Sequence, residues 1–166
     1  YVPKRLGYPK MSKYLTIGYV VIELTITFFI LFEDQLFTKT SAYKLVNEQG
    51  IELKDGFELV HNESMSAIGD YYHTFTLEIS ENDKQSAIKL IVNADNFQSA
   101  QSSVFHLPYL SYDEYFGPTV TQNYETENAF VQEYFEPSGR KGYAPTFRRI
   151  SISKTKNELI FEDIDK

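Results

Sequence analysis

The run from Tyr14 to Phe32 (YLTIGYVVIELTITFFILF) holds one Glu, no Lys, Arg or Pro, and a single Gly. Nothing else in the chain reads like it, and it limits what the rest can be. The hydrocarbon core of a bilayer is about 30 Å thick and a helix rises about 1.5 Å per residue, so roughly 20 apolar residues cross it. Tyr14–Phe32 has that length, with Tyr14 and Tyr19 at or near one end, where amphipathic rings favour the membrane interface. Lys4, Arg5, Lys10 and Lys13 precede it without an acidic residue, and Glu33 and Asp34 come directly after it. Basic residues stay on the cytoplasmic side, so the flanks predict a cytoplasmic N-terminus and an extracytoplasmic remainder.

Glu23 is the difficulty. It falls near mid-span, where a carboxylate costs roughly 2.5–3.5 kcal/mol on insertion scales. Apolar surroundings favour the neutral acid, or the group faces a partner helix and marks an assembly or proton-handling site. The competing reading has no membrane: LTITFFILF alternates and is rich in β-branched and aromatic residues, which suits core strands or a buried helix of a soluble protein.

Beyond a basic flank (1–13), the span (14–32) and a connector (33–39), residues 40–166 are enough for one compact domain. Aromatic content of 16% argues for a folded core rather than disorder. The formal charge of −7 and pI near 5.0 leave no basic face for phosphates, so nucleic acid is not expected as a partner; the acidic remainder leaves room for a basic partner. The late cluster Arg140, Lys141, Arg148, Arg149, Lys154 and Lys156 is interleaved with strand residues and followed by acids, and reads as a solvated face. The absence of Cys removes disulfides, thiolate metal sites and a Cys nucleophile. The N-terminal region is a poor signal peptide, because its apolar run is long and no small-residue cleavage site comes after it. Met11 would make a plausible natural start.

Along the domain, Thr40 or Ser41 caps a helix to about Gln49, with Gly50 after it. Phe57–His61 reads as a short strand, Met65–Asp70 as a turn or a continuation of it, and Tyr71–Ser80 as the clearest strand, by alternation. Ser80 caps a helix closed by Asn93. Phe97–Gln122 has no convincing period. Thr126–Glu136 reads as a helix, and Thr146–Ile164 as a hairpin turning at Lys154–Asn157. The sum is an α+β domain of two layers: an antiparallel sheet of about four strands with two to three helices on one face.

Chemistry is sparsely signalled. No phosphate-binding glycine motif or serine-nucleophile pattern is present. His61, His73, Asp70 and Glu63 are candidate metal ligands only if their strands converge them, and their spacing matches no zinc motif; no metal and no cofactor is expected. Asp113-Glu114 and Glu125/Glu127, beside Tyr109 and Tyr112, would suit carbohydrate chemistry. The tyrosine-dense segment LPYLSYDEYFGP reads better as a binding loop, through Tyr109, Tyr112, Asp113, Tyr115 and Phe116, with Glu23 as the contact within the membrane. The function expected is a single-pass membrane-anchored accessory or assembly component of an envelope complex, binding a protein partner without catalysis. The alternative is a soluble cytoplasmic acidic binding protein of inhibitor or immunity type, with residues 14–32 in its core.

Overall fold

The computed structural model describes residues 9–32, 36–67, 70–99 and 115–165. The chain divides between Leu36 and Phe37 into two compact units.

The first unit is dominated by one helix, α1 (Pro9–Leu31). Pro9 stands at its first position, where a missing N–H costs no intrahelical bond. From Lys10 to Leu31 the helix contains no further Pro. Thr16 and Thr25 return their hydroxyls to the carbonyls of Ser12 and Val21, at 2.9 and 2.8 Å, so neither needs outside water as an acceptor.

The second unit runs α2 (Lys39–Glu48), β1 (Glu58–Ala67), β2 (Asp70–Glu78), α3 (Glu81–Val92), β3 (Phe97–Gln98), β4 (Val120–Glu125), β5 (Ala129–Glu136), β6 (Thr146–Ser153) and β7 (Glu158–Asp165). Its class is α+β as expected, but the sheet has seven strands rather than about four, in the order β1-β2-β7-β6-β5-β4-β3. Neighbours are antiparallel except β3 and β4, which are parallel. The chain lays down β4 to β7 as a meander, and the β1–β2 hairpin joins its far side through β2 on β7.

Two of the sequence expectations fail here. The helix expected at Thr126–Glu136 is β5, and Thr126 instead turns the β4–β5 hairpin: its backbone N–H and hydroxyl both donate to the Ala129 carbonyl, at 2.8 and 3.1 Å. Phe97–Gln122, read as lacking a convincing period, contributes β3 at its start and the first residues of β4 at its end. Of the two readings of Met65–Asp70, a turn or a continued strand, the strand continues: β1 runs on to Ala67 and β2 begins at Asp70. A register shift between Leu59 and His61 marks a bulge in β1.

The helices form where capping chemistry starts them. Thr38, just before the expected caps, accepts from the Ser41 amide at 3.2 Å, and α2 closes before Gly50, whose φ of 83° suits glycine. Ser80 accepts from the Asp83 amide at 3.0 Å, and Glu81 and Asp83 place negative charge on the first turn of α3.

Both domain helices pack on one face of the sheet. Ala42 and Val46 of α2, with Ala87 and Ile91 of α3, meet Phe75, Leu77, Ile150, Ile152, Leu159 and Phe161 in a single core. The register explains this grouping: Phe75 lies opposite Phe161, and Phe161 opposite Ile150, so alternate residues of three strands share one surface. The Phe75 and Phe161 rings stack with centroids 4.8 Å apart. Each such side chain, fully buried, contributes about 1.5–3 kcal/mol. Asp83 ties the layer together from the rim: its two carboxylate oxygens accept from the backbone amides of Lys54 and Asp55, at 2.9 and 3.0 Å.

Candidate functional site

The opposite face of the sheet carries the most unusual chemistry in the domain. Glu162 of β7, Arg149 of β6 and Glu133 of β5 are consecutive cross-strand partners, so their side chains stand in one row. Glu133 is fully buried. Its Oε1 accepts from Arg149 Nε at 2.8 Å and from the Tyr124 hydroxyl at 2.8 Å. On its other side, Arg149 Nη1 meets Glu162 Oε2 at 3.3 Å, and the Tyr72 hydroxyl donates to Glu162 Oε1 at 3.3 Å. One polar line therefore crosses five strands, from Tyr124 to Tyr72. A row of apolar side chains flanks it: Phe135 and Phe147 packed with Val120 and Ile164.

Charge along this line perturbs its members. Burial, then the neighbouring Glu133 carboxylate, pushes the Tyr124 hydroxyl well above the ordinary phenol range. Burial and Glu162 raise Tyr72 in the same direction. Burial opposes the Arg149 cation, but Glu133 and Glu162 outweigh it and hold its pKa above the ordinary guanidinium value. The cluster supplies paired charges and shared protons. Its two carboxylates are engaged by one arginine, which ties β5, β6 and β7 together. Beside it, the buried amide oxygens of Gln122 and Gln98 accept no hydrogen bond from the described residues.

The late basic cluster is thus not simply a solvated face. Arg149 belongs to the buried row. Arg148 bridges Asp163 at 3.3 Å and Glu48 at 3.1 Å on the helix-covered face, and Lys154 pairs with Glu125 at 2.6 Å. That last contact also engages one of the carboxylates considered for carbohydrate chemistry.

The proposed histidine ligands do not converge. His61 pairs with Glu63 at 3.5 Å on the helix-free face, whereas His73, opposite Ser64 in the register, is buried on the other face and its Nε2 lies 2.8 Å from Asn62 Oδ1. Among the described residues no group of three or more acidic or histidine side chains is placed to hold a metal.

Of the expected binding loop, Tyr109, Tyr112 and Asp113 lie outside the described residues. Tyr115 is half-buried and Phe116 is 52% exposed, just before Gly117. Elsewhere, an open hollow of about 210 Å³ lies between α3 and the segment after α2, with Ile51, Ala87 and Leu90 as its floor and Glu52 and Lys54 at its rim. That is below the roughly 300–1,000 Å³ of small-molecule sites.

The first unit presents a different surface. Along α1, apolar side chains point outward on every side: Leu15, Ile17, Val21, Leu24, Ile26 and Phe29 are each about half exposed or more, and Leu24 is 65% exposed. Glu23 is exposed among them. This helix is long and apolar enough to cross a membrane, and only 6% of its apolar window is buried.

No family model, curated protein or solved structure matches the chain.

Proposed function

We propose that the chain is a single-pass membrane protein in which α1 is the anchor and the α+β domain, held outside the cytoplasm, binds a protein partner as an accessory or assembly component. The observation that carries this reading is the exposure of α1. A helix apolar all round demands an apolar environment, and burying a leucine-sized side chain is worth about 1.5–3 kcal/mol, so the whole helix in water would be strongly unfavourable. The alternative, with residues 14–32 as the core of a soluble protein, would need those side chains covered by protein instead of lipid.

The orientation rests on the basic residues at the N-terminal side. The binding role rests on Tyr109, Tyr112, Asp113, Tyr115 and Phe116, a dense set of amphipathic rings in a long inter-strand segment, and on a domain whose charged groups are engaged in cohesion. The test is fractionation of the full-length chain with carbonate washing. The chain is expected in the membrane pellet at full length. A soluble, monodisperse product defeats the reading, and a shortened mature product would make α1 a removed leader.

A further inference from the structure

The two edges of the sheet are unlike. At one, β3 has two residues and covers β4 only beside Asn123 and Tyr124. At the other, β1 has ten residues and, among the described residues, pairs on one side only, with β2. A free edge strand presents a row of unpaired N–H and C=O groups, and shortness, Pro, Lys and bulges are what keep other chains from pairing with it. The β3 edge is short. The β1 strand contains no Pro and no Lys, and its bulge lies near its start, between Leu59 and His61, so residues 61–67 run in unbroken register. Among the described residues of the domain, the two most exposed large apolar side chains also sit here, Met65 at 61% and Val60 at 56%.

This edge is acidic on the helix-free face. Glu58 of β1, Glu78 of β2 and Glu158 of β7 are consecutive cross-strand partners, while Leu59, Leu77 and Leu159 beside them turn into the core. Like charges directly opposite one another destabilise a sheet, and among the described residues one cation, Lys156, pairs with this row, 3.3 Å from Glu158. Further along β1 on the same face, Glu63 is exposed beside His61. We propose that β1 is a docking edge for an extended basic segment of a partner protein, which adds antiparallel to the seven-stranded sheet with an apolar residue opposite Met65 and Lys or Arg opposite Glu63 and Glu58. In such strand addition the backbone hydrogen bonds give affinity and alternate side chains give specificity, and antiparallel pairing is the more stable per residue. The β1 strand has no Lys or Arg, so a second copy of the chain pairing through it would bring acids and no strong cation. The edge is separate from the tyrosine-dense segment, and its docking role does not depend on α1 crossing a membrane.

The probe is a synthetic peptide of about ten residues, within the usual length of a strand, built on alternating Thr and Val, with Leu to meet Met65 and Lys to meet Glu63 and Glu58. Titrated into the full-length chain in non-ionic detergent at low salt, it should bind saturably with a Kd below about 1 mM. Hydrogen exchange should then slow at β1 amides and not at those of β3 or β4. E58K combined with E63K should weaken binding about tenfold, by the size of two cross-strand charge pairs, and a peptide with Glu in place of both Lys should regain it on that variant. Both positions are exposed and E58K relieves the opposition to Glu78, so the variant should keep the native melting temperature or exceed it. A peptide N-methylated at the amides that would face β1 keeps its charge and loses its strand hydrogen bonds, and should bind far more weakly. Absence of saturable binding, equal binding of the N-methylated peptide, or protection centred away from β1 overturns the docking edge. Protection of β1 that rises with protein concentration in the absence of peptide overturns it in favour of a second copy.

Discussion

Arg149 Nε and Nη2 both lie 2.8 Å from Glu133 Oε1 across β6 and β5, and Glu133 is wholly shielded from solvent while the arginine side chain keeps 24% of its surface. The charge that is hard to bury is therefore the carboxylate, and the arginine is what makes its burial tolerable. Removing one partner of a buried pair leaves an uncompensated charge, whereas replacing both by apolar groups is often nearly neutral. R149M is expected to destabilise the domain by about 3–5 kcal/mol. E133L combined with R149M should recover most of that loss. Denaturant unfolding of the full chain in detergent measures both, and a double variant no better than R149M would show that the pair does not act as a unit.

The same row gives the domain an alkaline limit. Tyr124 and Tyr72 are raised above 10.0, mainly by burial and then by Glu133 and Glu162; Tyr134 is raised mainly by its hydrogen bond to Glu136. An acid whose folded pKa is raised is held neutral by the fold. Its contribution is complete below the unfolded value near 10 and is lost as pH rises from there through the folded pKa. Stability should thus hold through neutral pH and fall from about pH 10 upward. Y124F should make that fall shallower while costing about 1 kcal/mol at neutral pH through the lost hydrogen bond. Melting temperatures measured from pH 7 to 11 decide it: parallel curves for Y124F and the native chain would exclude Tyr124 as a contributor.

Asp83 makes a separate, local claim. Its carboxylate holds the backbone amides of Lys54 and Asp55, fixing the segment between α2 and β1 to the start of α3. Hydrogen bonds to charged groups contribute about 1.5–3 kcal/mol each, so D83A should cost about 2–4 kcal/mol and D83N less, since one oxygen remains. Hydrogen exchange at the Lys54 and Asp55 amides should quicken selectively in both variants. Uniform quickening across the sheet would instead mean global destabilisation.

These contacts also explain what could be read from the sequence. α3 was legible because its signals are local: Ser80 as cap, acids in the first turn, apolar residues at helical spacing, Asn93 after the end. β2 was legible because Tyr71 to Leu77 alternate without exception. β5 was not. Its inward residues on the helix-free face are Val131, Glu133 and Phe135, and a glutamate at the most buried of them breaks the alternation that marks a strand. The apolar residues Ala129, Phe130, Val131, Tyr134 and Phe135 then also fit a helical face. The compensation sits on β6, in Arg149, and pairing across strands is invisible to a local pattern. A usable hint was present in the alternation of opposite charges among neighbouring strand-like segments. Of the site residues, Glu23 stood out because one carboxyl group in an apolar run needs no tertiary information to be noticed.

Topology offers the last test. The charge asymmetry around α1 places Lys4, Arg5, Lys10 and Lys13 before it and Glu33 and Asp34 after it, and Lys/Arg near the span set orientation far more than acids do. Thr155, exposed in the turn between β6 and β7, is a suitable reporter in a chain without native Cys. T155C should react with a membrane-impermeant maleimide added outside intact cells or spheroplasts. Replacing the four basic residues by Ser and placing Lys at positions 33 and 34 should move the label-accessible fraction to the cytoplasmic side, because the basic cluster would then lie after the span. Labelling of T155C only after the cells are opened, in the native charge arrangement, would reverse the proposed orientation and with it the location of the binding domain.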